Sequence, residues 1–132
     1  MSDPPPDVEV RPVADDAEAT TARSVLDAAM LELPDFGARA ESDDVLVALV
    51  EGRVVGAALL RPHHSRPGVH VEAVAVRPRR RGQGFGTALV DAAADRGPVT
   101  VEFDAELRPF YERLGFEMRR LDDDRYRGVR EP

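Results

Sequence analysis

The sequence contains neither cysteine nor lysine. Without cysteine the chain has no disulfide, no thiolate zinc ligand and no cysteine nucleophile. Without lysine it has no Walker phosphate loop, because that motif requires a Gly-Lys-Ser/Thr triplet. The 18 basic residues are all arginine, aromatic residues make up only 5% of the chain, and the net charge is −7. An acidic chain without aromatics interleaved among its arginines is a poor nucleic-acid binder, so we expect no nucleic-acid partner.

Long apolar runs are also missing, and none approaches the length that crosses a membrane. The N-terminus is acidic and proline-rich, and it lacks the basic-then-apolar order of a signal peptide. We therefore expect a cytoplasmic protein with no membrane partner. A chain of 132 residues suits one domain with one core. We predict a disordered tail over residues 1–7, which hold three prolines and two aspartates, and a single domain over residues 8–132.

The acidic, lysine-free composition has two explanations. Aspartate and glutamate number 25 against 18 arginines. One explanation is a salt-loving source, whose proteins carry carboxylate-rich surfaces that stay hydrated in concentrated salt. The other is a GC-rich genome, which favours arginine codons but accounts less well for the acidity. The sequence leaves both open.

Apolar alternation and turn residues predict an α+β domain with a mixed central sheet of about six or seven strands flanked by helices. The predicted order is β-α-β-β-β-α-β-α-β-β. Strands are expected near residues 8–11, 44–50, 54–60, 69–76, 99–103, 116–120 and 125–129. Helices are expected from Asp15 or Asp16 to about Met30, from the glycine stretch to about Arg96, and over 108–114. Residues 31–42 are predicted to form a loop or a broken helix, and Gly56 to mark a bulge or a close backbone approach.

The stretch 74–90 organises the chain, because it reads as a buried strand, a glycine loop and a helix. Gly82, Gly84 and Gly86 remove Cβ atoms where the helix begins, so the backbone can lie directly against a ligand. The first helical turn offers unpaired N–H groups and a partial positive charge. Four arginines at 77, 79, 80 and 81 add formal charge, and the combination suits a phosphate or pyrophosphate. The dinucleotide fingerprint G-x-G-x-x-G is not met, because Thr87 follows the third glycine.

Two motifs carry a resemblance to a known family. The pattern Arg81-x-x-Gly84-x-Gly86, preceded by Val-Ala-Val-x-Pro, resembles the acyl-coenzyme A loop of the GNAT N-acetyltransferase superfamily. The segment from Phe110 to Phe116 resembles the F-Y-x-x-x-G-F segment that closes many GNAT domains. The resemblance spans nearly the whole chain, and it implies the GNAT acyl-CoA N-acyltransferase fold, acetyl-CoA as co-substrate, an amine acceptor and no metal.

The resemblance also implies which residues bind the cofactor. Backbone groups of two strand residues would pair with the pantetheine arm, and amides of the glycine loop would hold the pyrophosphate. An amide near Val74 would polarise the thioester carbonyl. The predicted cofactor-binding residues are Val74, Val76, Arg81, Gly82, Gln83, Gly84, Phe85, Gly86 and Thr87.

The catalytic residues implied in the same way are Tyr111 and Glu72. Tyr111 would protonate, or hydrogen-bond to, the departing thiolate. Glu72 resembles a position where some family members place a glutamate base, and strict alternation puts it on the same strand face as Val74 and Val76. His70 shares that predicted face, and the loop before it holds two further histidines, 63 and 64. Any of these histidines is an alternative base.

The acceptor side is less determined by sequence. In the resembled family the region of Leu33 and Phe36 lines the acceptor pocket. Asp104 stands near a position where many relatives carry an asparagine facing the cofactor, and this departure puts that contact in doubt. We expect direct attack of an amine on the thioester without a covalent enzyme intermediate, in a monomer or homodimer. The alternative is a non-catalytic coenzyme A or acyl-CoA sensor, or a regulatory binding module.

Overall fold

The secondary structure follows from a computed structural model of the protein, which describes residues 7–27 and 36–131. Its strands are β1 (Val8–Pro12), β2 (Val45–Val50), β3 (Arg53–Pro62), β4 (Val69–Val76), β5 (Val99–Asp104), β6 (Glu117–Arg120) and β7 (Arg125–Arg130). Its helices are α1 (Asp16–Asp27), α2 (Phe36–Glu41), α3 (Phe85–Ala94) and α4 (Arg108–Arg113), and short 3₁₀ turns cover Pro78–Arg80 and Ala105–Leu107.

All seven predicted strands are present, and the predicted element order is confirmed. The first helix begins at Asp16, where the Glu18 N–H donates to Asp15 Oδ1 at 2.8 Å, as the capping pattern predicted. The region 31–42 contains the short helix α2, so its described part is largely helical. The predicted end of the first helix at Met30 lies outside the described residues. So does the predicted tail, apart from Asp7.

The strands form one sheet in the order β1-β2-β3-β4-β5-β7-β6. Every neighbouring pair is antiparallel except β4 and β5, which run parallel because α3 connects them as a crossover helix. Their pairing extends only from Val69–Val99 to Val71–Val101. Beyond this short ladder no β4–β5 pairing is found in the described chain, so the carboxyl halves of the two central strands diverge.

Each face of the sheet carries its own core cluster. On the first, which we call the α3 face, apolar residues of β4 and β5 pack against Phe85, Leu89 and Ala93 of α3. On the second, the α1 face, Leu59 of β3 packs with Leu26 of α1 and with neighbouring apolar residues of α2. The small Gly56 lets α3 approach the sheet, since a Cβ there would lie 3.2 Å from Leu89 Cδ1. The close approach predicted at Gly56 is thus confirmed.

A β-bulge interrupts β4 just where it parts from β5. Leu59 pairs with Ala73 and the next residue, Leu60, pairs with Val71, so Glu72 is an extra residue opposite a single step of β3. In a bulge two consecutive residues oppose one, and the strict alternation of side chains is lost. Val71 accordingly packs on the α3 face, whereas Ala73 packs on the α1 face.

The bulge overturns one sequence-based prediction. Val74 and Val76 pack on the α3 face, but Glu72 makes an ion pair with Arg39 of α2, on the α1 face. His70 lies between two residues of the α3-face cluster and therefore points to the α1 face as well. The prediction that Glu72 and His70 share a face with Val74 and Val76 is wrong, because alternation cannot be counted through an inserted residue.

Candidate active site

A cleft of about 570 Å³ opens on the α3 face beside the divergent end of β4. Its walls are the carboxyl half of β4, the glycine loop with the first turn of α3, and α4. Its lining residues are Val74, Val76, Arg80, Arg81, Gly82, Gly84, Phe85, Gly86, Thr87, Leu107, Phe110, Tyr111, Arg113 and Leu114. The cleft brings together every predicted cofactor-binding residue except Gln83, together with the predicted catalytic Tyr111.

The glycine loop presents free backbone amides to this cleft. Gly84 is the N-cap of α3 with φ of 91°, a left-handed conformation that glycine adopts without strain, and no side chain caps the helix. The first-turn N–H groups of an uncapped helix have no intrahelical acceptor. Gly86 lets Phe110 of α4 pack closely against the first turn of α3, because a Cβ there would lie 3.4 Å from the Phe110 ring. The loop can therefore receive an anion at the positive end of α3.

The arginines of the loop divide into two groups. Arg80 and Arg81 line the cleft, and Arg81 Nε also donates to the Val76 carbonyl at 3.2 Å. Arg77 is turned away, because its Nε donates to the Val54 carbonyl at 2.8 Å. Gln83 is turned back onto its own loop, where Nε2 donates to the carbonyl of Arg79 at 3.1 Å. Arg113 of α4 adds a positive charge from the opposite wall, which the sequence motif did not indicate.

The backbone of β4 has free polar groups beside the cleft. Arg77 N–H donates to the Val55 carbonyl of β3 at 2.9 Å. Alternate residues of an antiparallel strand bond to the same neighbour, so the peptide groups of Val74 and Val76 point toward β5. Since β5 has already diverged at this point, those groups can pair with an extended ligand, although the Val76 carbonyl also accepts from Arg81 Nε.

Tyr111 forms the inner wall of the cleft. Its ring is only 6% exposed, stacks on Phe103 at 4.5 Å between centroids and meets the edges of Phe110 and Phe116. Across residues 7–27 and 36–131, no hydrogen bond engages its hydroxyl. Burial raises the pKa of Tyr111 to about 12. The hydroxyl therefore stays protonated at neutral pH and can donate a hydrogen bond into the cleft.

The second predicted catalytic residue, Glu72, lies outside the cleft, on the α1 face. Its Oε2 is 3.1 Å from an Arg39 guanidinium nitrogen and its Oε1 is 3.3 Å from one of Arg61. Arg39 also donates to the carbonyl of Leu60. No local signal pointed to Arg39, because it comes from a short helix whose position on the sheet cannot be read from local pattern.

A group of histidines lies on the same face. His70 Nδ1 is 2.8 Å and His63 Nε2 is 3.0 Å from the hydroxyl of Thr100. Burial, more than any nearby charge, lowers the pKa of His70. His64, the third sequence candidate, is exposed on its loop. The sequence analysis did not single out Thr100, because its pairing with His70 depends on the β4–β5 register.

The remaining sequence candidates are placed less centrally. Phe36 is buried in the α1-face cluster, with the Arg23 guanidinium 5.7 Å from its ring centre, and Leu33 lies outside the described residues. Asp104 makes an exposed ion pair with Arg125 at 2.9 Å. In the described segments, no three histidine, aspartate or glutamate side chains converge as they would around a metal ion, and no helix there has the length and apolarity to span a membrane.

Comparison with known proteins identifies the family. The family model described as "Acetyltransferase (GNAT) domain" matches residues 41–118, more than half of the chain. The chain belongs to the GNAT acetyltransferase family. The motif resemblance is thereby confirmed, and the matched range covers β2 to α4 with the whole glycine loop, and ends inside β6.

Among curated relatives, this GNAT chain is similar to the glucosamine 6-phosphate N-acetyltransferase of Trypanosoma brucei brucei, with 38% identity over 76 residues. That match covers 49% of this chain and 52% of the relative. The chain thus spans about half the length of the curated relative it matches.

Solved structures share the GNAT fold over almost the whole chain. Ard1 from Thermoplasma volcanium superposes with a TM-score of 0.74 at 19% identity, covering 95% of this chain and 97% of its own. N-acetylglutamate synthase from Neisseria gonorrhoeae, complexed with coenzyme A and L-arginine, superposes with a TM-score of 0.76 at 16% identity. The match covers 94% of this chain and 33% of the synthase. The predicted fold class, a mixed sheet flanked by helices, is confirmed.

Proposed function

We propose that this GNAT protein is an acyl-CoA-dependent N-acyltransferase, which transfers acetyl from acetyl-CoA to a primary amine within a ternary complex. The observation that carries the proposal is the cleft, in which free amides of α3 and two arginines of the loop meet an unpaired edge of β4. The protein would act in the cytoplasm, as a monomer or homodimer, without nucleic acid, membrane or metal.

The cleft fits the two parts of a coenzyme A molecule. The amides from Gly82 to Thr87 would bind the pyrophosphate, with Arg80 and Arg81 balancing its charge. The peptide groups of Val74 and Val76 would pair with the amides of the pantetheine arm as an added strand does. Bound in this way, the thioester carbonyl would lie at the β4–β5 divergence and accept a hydrogen bond from an amide near Val74.

Tyr111 would act on the leaving sulfur. With a pKa of about 12, against about 8.5 for an ordinary thiol, complete proton transfer from the phenol to a thiolate is uphill by roughly 5 kcal/mol. We therefore propose that Tyr111 mainly donates a hydrogen bond, which strengthens as negative charge develops on the sulfur. A hydrogen bond to a charged group contributes more than one to a neutral group.

The amine would approach from the α1 face, where Glu72 lies at the bulge. Each carboxylate oxygen of Glu72 has one arginine partner and keeps a second acceptor position. We propose that Glu72 is a catalytic residue that contacts the incoming amine. The trypanosome relative carries the name of an enzyme acting on glucosamine 6-phosphate, so this amino sugar is the first acceptor to test, beside amino acids, aminoglycosides and peptide N-termini.

The proposal is tested by binding and by turnover. Isothermal calorimetry measures association with coenzyme A and acetyl-CoA, and thiol release measures transfer to the panel of amines. Tyr111→Phe should retain binding and lower kcat by about 10²-fold, the usual cost of removing one hydrogen-bond donor to a developing anion. Tyr126→Phe is the matched control, because Tyr126 lies outside the cleft lining. Failure to bind coenzyme A overturns the proposal, and binding without turnover favours a sensor.

A further inference from the structure

Thr100 places one hydroxyl between two histidines from different elements. Thr100 is a buried polar residue, with 3% of its surface exposed. It pairs with His70 across the parallel β4–β5 ladder, and its Oγ1 is 2.8 Å from His70 Nδ1. On its other side, Oγ1 is 3.0 Å from Nε2 of His63. The far nitrogen of His63, Nδ1, is 3.2 Å from the carbonyl oxygen of Pro67.

The direction of every hydrogen bond in this series follows from its last acceptor, the carbonyl oxygen of Pro67. A carbonyl oxygen only accepts, so His63 Nδ1 must carry the proton that it donates to Pro67. In a neutral ring the second nitrogen is then bare, and His63 Nε2 accepts from the hydroxyl of Thr100. A hydroxyl has one proton, so Thr100 cannot also donate to His70. His70 Nδ1 must therefore carry a proton and donate to Thr100, which leaves His70 Nε2 with a free lone pair.

We propose that Pro67, His63 and Thr100 form a relay that fixes the tautomer of His70 and presents its Nε2 as the base that deprotonates the acceptor amine. This inference rests on the proposed acyltransferase function. His70 would be the catalytic base, and His63 and Thr100 would be positioning residues. We refer to the side chains of His63, Thr100 and His70 together as the histidine relay.

The position of His70 suits this role. It lies on the α1 face, one residue before the last β4–β5 pair, Val71–Val101, and two residues before the bulge at Glu72. Within the described parts of the chain, no group hydrogen-bonds to its Nε2. Glu72 is placed differently, because both its oxygens already face guanidinium groups.

Burial is the main reason why His70 is neutral at pH 7. Two cations and two carboxylates also face it and act on its pKa in opposite directions: Arg61 of β3, Arg127 of β7, Glu72 of β4 and Glu102 of β5. Desolvation is the largest influence and lowers the pKa of His70 below its usual value near 6.5. His63 is hydrogen-bonded to the same Thr100 hydroxyl. The ring is thus ready to accept a proton.

The proton balance of the transfer is complete with these groups. One proton of the ammonium passes to His70 Nε2, giving an imidazolium that still donates from Nδ1 to Thr100. The amine lone pair then forms the new C–N bond as the C–S bond breaks. The second amine proton goes to the departing sulfur, which Tyr111 meanwhile stabilises by its hydrogen bond. His70 returns its proton to solvent.

The tautomer is measured without any ligand. The chain has only three histidines, so long-range proton–nitrogen NMR correlations of the imidazole rings can be assigned with single variants, including His64→Gln. We expect the Nδ1–H tautomer for His70 in the wild-type protein. Thr100→Val should shift it toward the Nε2–H tautomer, and Thr100→Ser should restore it. An Nε2–H tautomer in the wild-type protein would falsify the relay, whether or not the protein is an enzyme.

Kinetics then test the catalytic role, using acetyl-CoA and the fastest amine of the panel. His70→Asn keeps a donor for Thr100 but removes Nε2, so kcat should fall about 10²-fold with an unchanged KM for acetyl-CoA. The acidic limb of the kcat/KM profile should disappear. Thr100→Val should lower kcat about tenfold because His70 then adopts the wrong tautomer, and Thr100→Ser should recover most of that loss. His64→Gln, on the same loop as His63, should leave kcat and the pH profile unchanged. An unchanged pH profile in His70→Asn overturns the base assignment, whereas absent wild-type turnover overturns the proposed function itself.

Discussion

The buried phenol of Tyr111 makes a quantitative prediction about stability at alkaline pH. The chain has neither lysine nor cysteine, so tyrosine is the only side-chain type present with an ordinary pKa between 9 and 12. Burial raises the pKa of Tyr111 from 10 to about 12. The folded state thus holds this proton to higher pH than the unfolded state does. Its stabilisation is complete below pH 10 and is lost as pH rises from 10 to 12.

The size of the effect follows from the shift. Two pKa units correspond to roughly 3 kcal/mol of unfolding free energy, lost progressively over that interval. Tyr111 is 6% exposed, so solvent screening reduces this figure only modestly. The same ring is expected to hold its proton throughout the neutral range, as a hydrogen-bond donor to a leaving sulfur must.

The assay uses Tyr126→Phe as the starting protein, so that all tyrosinate absorbance comes from Tyr111. Ultraviolet titration should show ionisation of Tyr111 near pH 12 in the folded protein and near pH 10 in denaturant. The free energy of unfolding, measured in urea, should fall between pH 9 and pH 12. The double variant that also carries Tyr111→Phe should not show this fall. Tyrosinate appearing near pH 10 in the folded protein would refute the burial of Tyr111 and with it the proposed donor role.

Three further predictions concern the glycines and the surface charge. Gly84→Ala forces a side chain into the left-handed conformation (φ 91°), at a strain of about 1–2 kcal/mol. The affinity for acetyl-CoA, measured by calorimetry, should therefore fall about tenfold. The control Gly37→Ala, with open space around its Cβ, should leave that affinity unchanged. Gly68→Ala, at φ +99°, drives a Cβ into the carbonyl of Pro98 and should lower the free energy of unfolding, measured in urea, by more than about 2 kcal/mol. Gly52→Ala has positive φ but open space, so it should lower that free energy by less. Equal losses in the two variants would contradict the clash. If the acidic composition reflects halophily, unfolding free energy should rise with potassium chloride as salt screens the net charge of −7, and a fold equally stable at low salt excludes it.

Local pattern was enough to predict the strands and the glycine loop between β4 and α3. The apolar runs of β2 and β3 and the glycines from 82 to 86 each act within a few neighbouring residues, so their signals are complete in one stretch of sequence. The bulge at Glu72 is different, because no glycine or proline marks it and it exists only in the pairing with β3. The contact of Thr100 with His70 depends likewise on the register of strands separated by α3.

This difference explains why the residues of the loop motif meet in one cleft, while alternation placed the candidate bases on the wrong face. The cleft is specified by contiguous backbone, and Tyr111 reaches it because α4 packs through Phe110 against the start of α3. The α1 face is assembled from Arg39, Thr100 and His63, which lie on three different elements. No single stretch of sequence contains that arrangement.

The bulge also has a consequence for the chemistry. Without the extra residue, the side chains of His70 and Glu72 would lie on the same face as Val74 and Val76, beside the cofactor cleft. The inserted residue turns the strand over, so β4 presents its cleft-lining side chains on one face and its ionisable side chains on the other. If the proposed cofactor fills the first face, the amine would reach the thioester from the second. The two substrates would then meet at the β4–β5 divergence, directly after Val71, where the ladder that would separate them ends.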